Sequence, residues 1–374
     1  MDAGIPFWMY IIGFPLLLGP LVTLHELGHY LVGRWFGVEA EAFSVGFGKE
    51  LWGFTDRRGT RWKLSALPLG GYVQFKGDMN PASVPDRRTQ TETPQRDGSF
   101  QNAPLWQRAL IVAAGPVTNI LVTLAIFAAF FMAIGRPVAA DPEQQLTVAG
   151  FSQGSPAQRA GVLAGDRIVA IDGKPMKDFR DVQGAVMLYP GKRLAVTVER
   201  DGESRTIPIT AASVEMKDKF GNAGKIGLIG VRPTGGAYVA ERLGPIDSVA
   251  LAVKSSVGIV KMMVTGIGQI LTGDRSVKEL GGPIKIAKYS GEQLSLGPIA
   301  FVEFVALISL NLAFINLLPI PGLDGGHLAF YAAEAVRRKP VGPRGLELAY
   351  RSGMALVLML MLFVTFNDLV SLVG

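Results

Sequence analysis

The chain has 374 residues, of which 49% are hydrophobic and only 18% charged, with a mean hydropathy of +0.31; this is too apolar for a soluble protein of that length and requires segments that meet lipid. It contains no cysteine, which excludes disulfides, thiol nucleophiles and thiolate metal sites and leaves His, Asp and Glu as possible ligands. The net charge of +6 has no basic helical face or long basic run behind it, which argues against nucleic acid and for membrane topology.

The first apolar segment, Phe7 to about Gly33, is long enough for a hydrocarbon core of about 30 Å, which takes about 20 helical residues. It lacks a basic leader and a small-residue cleavage site, so residues 1–37 read as a retained transmembrane helix and not a signal peptide. Its end reads "LVTLHELGHYLVG". On a helix, His25 and His29 are four apart and share a face, which lets two imidazoles reach one Zn²⁺, and Glu26 stands close enough to hold a water. Such residues in an apolar helix cost several kcal/mol unless they act. The chain has three histidines, and two of them form this pair.

Residues 38–77 read as β structure, with Trp62, Leu64 and Ala66 before a Pro-Leu-Gly-Gly turn at Gly70 and Gly71, and Tyr72, Val73 and Phe75 after it. Residues 78–104 are polar and proline-bearing and read as a flexible cytoplasmic loop. A second span covers 105–136. In 137–236, short β-rich runs surround a helix at "FRDVQGAVML" and a hairpin turning at Asp201-Gly202, a small α+β domain. Within 237–293, Asp247, Lys254 and Lys261 recur at steps of seven on one face, which predicts a helix along the outer membrane surface and not a span. Residues 294–335 form the third transmembrane segment, 336–350 a basic connection and 351–374 the fourth span. There is no Lys or Arg before Arg34, eleven from Arg34 to Arg108, five from Arg337 to Arg351 and none after. Both basic connections are therefore cytoplasmic and both termini extracytoplasmic.

A catalytic zinc needs a third protein ligand and one open position. Glu303, Asp324 and His327 are the candidates near the membrane. Asp324 is favoured because Pro319 and Pro321 break the third span just before it and glycines surround it, and irregular backbone at membrane depth belongs beside a cavity. His327 is the runner-up, with a supporting role as its other reading, and Glu303 lies nearer the outer surface.

"HELGH", "AAGPVTN" and "NLLPIPGLDGGH", in this order, resemble the site-2 protease family of intramembrane zinc metalloproteases. "SPAQRAGVLAGDRIVAIDG" resembles a PDZ domain, and its place between the second and third spans points to the bacterial regulator-of-sigma-E protease branch. The resemblance implies one Zn²⁺ held by His25, His29 and Asp324, Glu26 as base, and Asn316 on the substrate. It also implies a membrane-associated re-entrant hairpin in 38–77 that brings Gly70, Gly71 and Tyr72 to the substrate. Branch members with two tandem PDZ domains differ from this chain, where 137–236 has room for one. The expected fold is an α-helical polytopic membrane protein with four transmembrane helices, a membrane-associated β-hairpin and one extracytoplasmic PDZ-like α+β domain, in the bacterial inner membrane. Its expected partners are the lipid bilayer and single-pass transmembrane substrates, such as an anti-sigma factor or a signal-peptide remnant, and no nucleic acid. Two readings compete. A zinc-dependent transporter would need further ionisable residues along a path, where the sequence offers only Glu303, and a membrane-anchored PDZ scaffold with a structural metal would need His327 as fourth ligand.

Overall fold

The chain opens with α1 (Phe7–Trp35), whose apolar side chains leave its backbone groups no partner but one another in lipid. β1 (Ala40–Thr55) and β2 (Arg61–Phe75) follow as an antiparallel pair, and then α2 (Leu105–Ala133). The computed structural model describes residues 5–77, 98–217, 223–235, 237–277, 280–339 and 342–373. They fall into two units, Ala3–Ala129 with Val249–Gly374 and Phe130–Ser248.

The β1–β2 connection closes at residues 56–60, where Asp56 Oδ1 accepts from Arg58 N (2.8 Å) and Thr60 N (3.0 Å). The chain does reverse between the two expected strands: residues 61–64 run parallel to 42–45 and residues 71–74 antiparallel to them, so β2 turns back across 65–70, and Gly71 is already partnered with Val45. Proximity is the reason for glycine at 70 and 71. Gly70 has φ +144° and a Cβ on it would sit 3.0 Å from Val22 Cγ1 of α1, while a Cβ on Gly71 would strike the Ser44 carbonyl. Residues 42–45 have a partner on each side, 71–74 and 61–64, so the two long strands double back into a broader sheet. Of the expected loop 78–104, residues 78–97 lie outside the described residues, and 98–104 are packed. Glu39 N donates to Gly98 O (2.8 Å), Phe100 N donates to Lys76 O (2.9 Å), and Phe100 stacks on Phe75. Tyr30, Phe43, Phe75, Phe100, Ile111 and Val112 form the core that seats the sheet on α1 and α2.

The second unit contains β3 (Arg136–Ala139), α3 (Pro142–Leu146), β4 (Val148–Phe151), α4 (Pro156–Arg159), β5 (Arg167–Ile171), β6 (Lys174–Pro175) and α5 (Phe179–Met187). It continues with β7 (Arg193–Arg200), β8 (Glu203–Thr210), β9 (Ala212–Lys217), β10 (Ala223–Leu228), β11 (Val231–Pro233) and β12 (Tyr238–Glu241). Its main sheet has the order β6-β5-β7-β8, with β10-β9, β11-β4 and β12-β3 as two-stranded pairs. Along β7, Leu194, Val196 and Val198 are buried at every second position, as a half-buried strand demands, and each such side chain contributes about 1.5–3 kcal/mol. Asp201 and Gly202 turn β7 into β8 with φ of +54° and +81°, the two positive values that a two-residue type I′ hairpin requires.

The larger unit resumes with α6 (Pro245–Leu271), α7 (Pro283–Ser295), α8 (Pro298–Asn316), α9 (Asp324–Arg337) and α10 (Pro343–Val373). Among the described residues five helices, α1, α2, α6, α8 and α10, are long and apolar enough to cross a membrane. That is one more than the four expected, the fifth being the helix assigned to the surface. α10 begins at Pro343, within the stretch 336–350 read as a basic connection. Leu17 and Leu21 pack against Phe301 and Ile308, joining α1 to α8. Thr123 Oγ1 donates to Ala306 O (3.0 Å) and Ser309 Oγ to Asn119 O (2.9 Å), joining α2 to α8.

One ion pair organises the second unit. The buried carboxylate of Asp166 accepts from Arg200 Nε (2.6 Å) and Nη2 (2.7 Å) and from Leu163 N (2.8 Å), and Arg200 Nη2 also donates to Gly161 O (3.0 Å). The Arg200 guanidinium holds the Asp166 carboxyl below the usual carboxylate range. Since the folded value lies under the unfolded one, about 3.9, the stabilisation is complete above that pH and is lost as pH falls through the folded value. Asp166→Asn should expose residues 146–212 to added protease roughly tenfold more readily at pH 7, and the gap from wild type should close as the medium is acidified. Equal digestion of both proteins at pH 7 would contradict this.

Candidate active site

The site begins with the crossing of α1 and α2. A Cβ on Gly28 would lie 2.6 Å from Ala114 O, and one on Gly115 would lie 2.7 Å from His25 Nε2. The bare Gly28 thus lets α1 approach the α2 backbone, and the bare Gly115 leaves room for the imidazoles of α1. His25 and His29 are 7% and 8% exposed and face α2. His29 Nδ1 donates to Ile111 O (2.8 Å), which leaves Nε2 with the lone pair.

His25 Nδ1 lies 3.2 Å from the Asn119 side-chain amide. Asn119 Oδ1 is buried without a hydrogen bond, and a half-turn of the amide exchanges its oxygen and nitrogen. The oxygen then accepts from His25 Nδ1–H and leaves His25 Nε2, too, as a lone-pair donor. Asn119 stands in the quoted "AAGPVTN" but sequence reasoning assigned it no role. Its signal was a polar amide in the middle of an apolar helix, which needs a partner.

Asp324 arrives from the broken third segment. After α8 ends at Asn316, the chain crosses residues 317–323 and re-enters a helix at Asp324. Gly325 and Gly326 allow the first turn of α9 to lie against the backbone of 317–321. The carboxylate lies in the ion-pair range of both histidines, with Oδ2 3.1 Å from His25 Nε2 and Oδ1 3.6 Å from His29 Nε2. The two Nε2 atoms are 3.2 Å apart. Asp324 Oδ2 is buried and, despite the nearby imidazole, makes no directed hydrogen bond. Three ligand atoms thus lie within 4.8 Å of one another, an arrangement that a cation between them relieves. Two neutral imidazoles and one carboxylate fit a single zinc with its fourth position open.

Glu26 and Asn316 line the same cleft of about 290 Å³, together with His327 and residues 73–75 of β2. Glu26 Oε2 accepts from Val73 N (3.1 Å), so one carboxylate oxygen is held at the β2 edge. Gly70, Gly71 and Tyr72 are not among the residues that line the cleft; Tyr72 stacks on Phe47. Glu303 is exposed and outside the ligand group, and His327 is bonded to Tyr350.

A His-Glu-x-x-His helix closed by a distant carboxylate, in a polytopic helical membrane protein, defines a zinc-dependent metallopeptidase. The model of peptidase family M50 matches residues 13–360. The chain belongs to that family, the site-2 protease family of zinc metalloproteases, and is a zinc metalloendopeptidase. It is 44% identical to the Agrobacterium fabrum protein Atu1380 (98% of this chain, 97% of that one) and 46% identical to the Rhizobium meliloti protein R01501 (96% of each). Both carry provisional zinc-metalloprotease names. Metalloprotease MmpA of Caulobacter vibrioides is 34% identical over 98% of this chain and 96% of its own. A solved PDZ domain of a Listeria monocytogenes SdrC-like protein aligns with 24% of this chain and 87% of its own at 21% identity; its TM-score of 0.19 carries no argument.

The contact between Asn119 and His25 makes a specific demand. Asn119→Leu should weaken zinc binding about 10- to 100-fold, as loss of a group that orients a ligand does, whereas Asp324→Ala should remove most of the metal. Zinc retained against a competing chelator will report both. An Asn119→Leu protein that holds zinc like wild type would show that His25 needs no such partner.

Proposed function

We propose that this metalloendopeptidase hydrolyses peptide bonds within transmembrane segments of single-pass membrane proteins, and that it belongs to the regulator-of-sigma-E branch. The observation that carries the reading is Glu26, held at the edge of β2 beside the His25, His29 and Asp324 group. In this reading His25, His29 and Asp324 hold the zinc. When bound, zinc acidifies the attacking water and polarises the scissile carbonyl. Glu26 takes the proton from that water and passes it to the departing amide nitrogen.

A helical substrate hides its peptide groups, so it must unwind before attack. The unwound segment pairs as a strand along Val73, Gln74 and Phe75, which satisfies its freed N–H and C=O groups, while the Asn316 amide grips its main chain. The orientation puts both termini outside the cytoplasm, and α6 lies on the outer surface, supported by the exposure of Asp247, Lys254 and Lys261. Residues 137–236 act as a PDZ-like module that handles the substrate ends outside the bilayer. Anti-sigma factors and signal-peptide remnants are the substrate types this arrangement suits.

A transporter would need its ionisable groups strung along a path, whereas His25, His29 and Asp324 converge on one point beside Glu26. A structural metal would need His327 in the cluster, and His327 is engaged with Tyr350.

Glu26→Gln should lower cleavage of a single-pass substrate in liposomes about 10²- to 10⁴-fold with zinc still bound. Cleavage near the wild-type rate would refute the assignment of the base, and absence of cleavage by the wild type would refute the function.

A further inference from the structure

The cleft contains an ionisable side chain that neither the ligand set nor the base employs, His327. It follows Asp324 by three residues in α9, so the two project from one face, a turn apart. Both line the cleft with Glu26 and Asn316, yet His327 stands outside the group of converging ligand atoms. Its ring is oriented from α10. The buried Tyr350, 6% exposed, places its hydroxyl 2.8 Å from His327 Nδ1 and 3.4 Å from Nε2, with the ring centroids 5.2 Å apart. Tyr350 is itself packed against Phe330. When the tyrosine hydroxyl donates to Nδ1, the neutral ring carries its hydrogen on Nε2, which can donate to an oxygen in the cleft. The ring is held as part of the cleft wall, so little freedom is lost when a substrate arrives.

Amide hydrolysis creates a charge that the ligands and base leave unaddressed on the protein side. As water adds to the carbonyl carbon, the carbonyl oxygen gains negative charge, and a fixed N–H aimed at it raises kcat by about 10²- to 10³-fold. Three other polar side chains of the cleft have occupations already. Asn119 meets His25, Gln74 Nε2 donates to Glu41 (3.1 Å), and Asn316 serves the substrate main chain in the reading above.

Resting on that reading, we propose that His327, positioned by Tyr350, hydrogen-bonds the oxygen of the scissile carbonyl as it becomes an oxyanion. His327 is then a catalytic residue and Tyr350 a positioning residue. No proton changes hands in this role: the same imidazole N–H donates throughout, and its bond strengthens as charge builds.

The test uses the full chain in detergent, zinc-loaded, with a transmembrane peptide substrate. His327→Ala should keep one zinc per chain and lower kcat about 100-fold with KM nearly unchanged. His327→Gln, which retains an N–H donor, should recover about tenfold of that loss. Tyr350→Phe should lower kcat several-fold, and add nothing in the His327→Ala background. Binding supplies a readout apart from turnover: a phosphinic peptide, shaped like the tetrahedral state, should bind His327→Ala about 100-fold more weakly than wild type, while uncleaved peptide binds Glu26→Gln with and without His327→Ala equally. Loss of zinc in His327→Ala, an effect confined to KM, equal losses in the Gln and Ala variants, or independent effects of Tyr350 and His327 would each overturn the proposal. If wild type cleaves, Glu26→Gln does not and His327→Ala matches wild type, this inference alone fails. If wild type leaves the peptide intact, the underlying reading fails and takes this inference with it.

Discussion

Two imidazole nitrogens and a carboxylate meet within 4.8 Å in a part of the protein where water is scarce. Lone pairs crowded together in a low-dielectric setting repel unless a positive charge lies among them. The rest of the larger unit holds this cluster in place. The carbonyl of Ile111 and the amide of Asn119 select the ring nitrogens that face inward. The interruption between α8 and α9 delivers the acid, and hydroxyl bonds from Thr123 and Ser309 tie α8 to the helix that carries Asn119.

The β1–β2 sheet brings a second constraint to the same place. A strand edge in an apolar setting carries peptide groups that want partners. One of them, Val73 N–H, is occupied by Glu26, so the carboxylate at the site and the strand beside it are mutually positioned. Phe100, from the chain just before α2, closes the wall next to Phe75. The cleft is thus bounded by helices, a strand and a short connecting segment, and each contributes at least one lining residue.

Much of the site could be read from residue types. His25 and His29 were legible because a four-residue interval on a helix has one geometric meaning, and because charge and polarity are expensive in an apolar run. Asp324 was legible as the favoured candidate because prolines and glycines beside an acid have few uses at membrane depth. The reversal of β2 before Gly71 was legible for a related reason, since a glycine pair after proline has the composition of a turn. The close approach of Gly70 to Val22 of α1 was not, because that contact lies 48 residues earlier in the chain and nothing local signals it. The fifth helix long and apolar enough to span, α6, was read as a surface helix because two lysines and an aspartate share one of its faces, although its length and composition suit a span as well. Asn119 and the packed segment before α2 needed the tertiary arrangement, since their partners are remote in sequence.

The bare crossing of α1 and α2 has a further consequence. At Gly28 the approach of α1 to α2 is limited by the Ala114 carbonyl, which has no rotamer to adjust, and at Gly115 the missing side chain leaves room for the two imidazole rings. The bite presented by those rings therefore depends on positions that stand behind them and outside the cleft: a methyl group at either one would push the helices apart or the rings out of line.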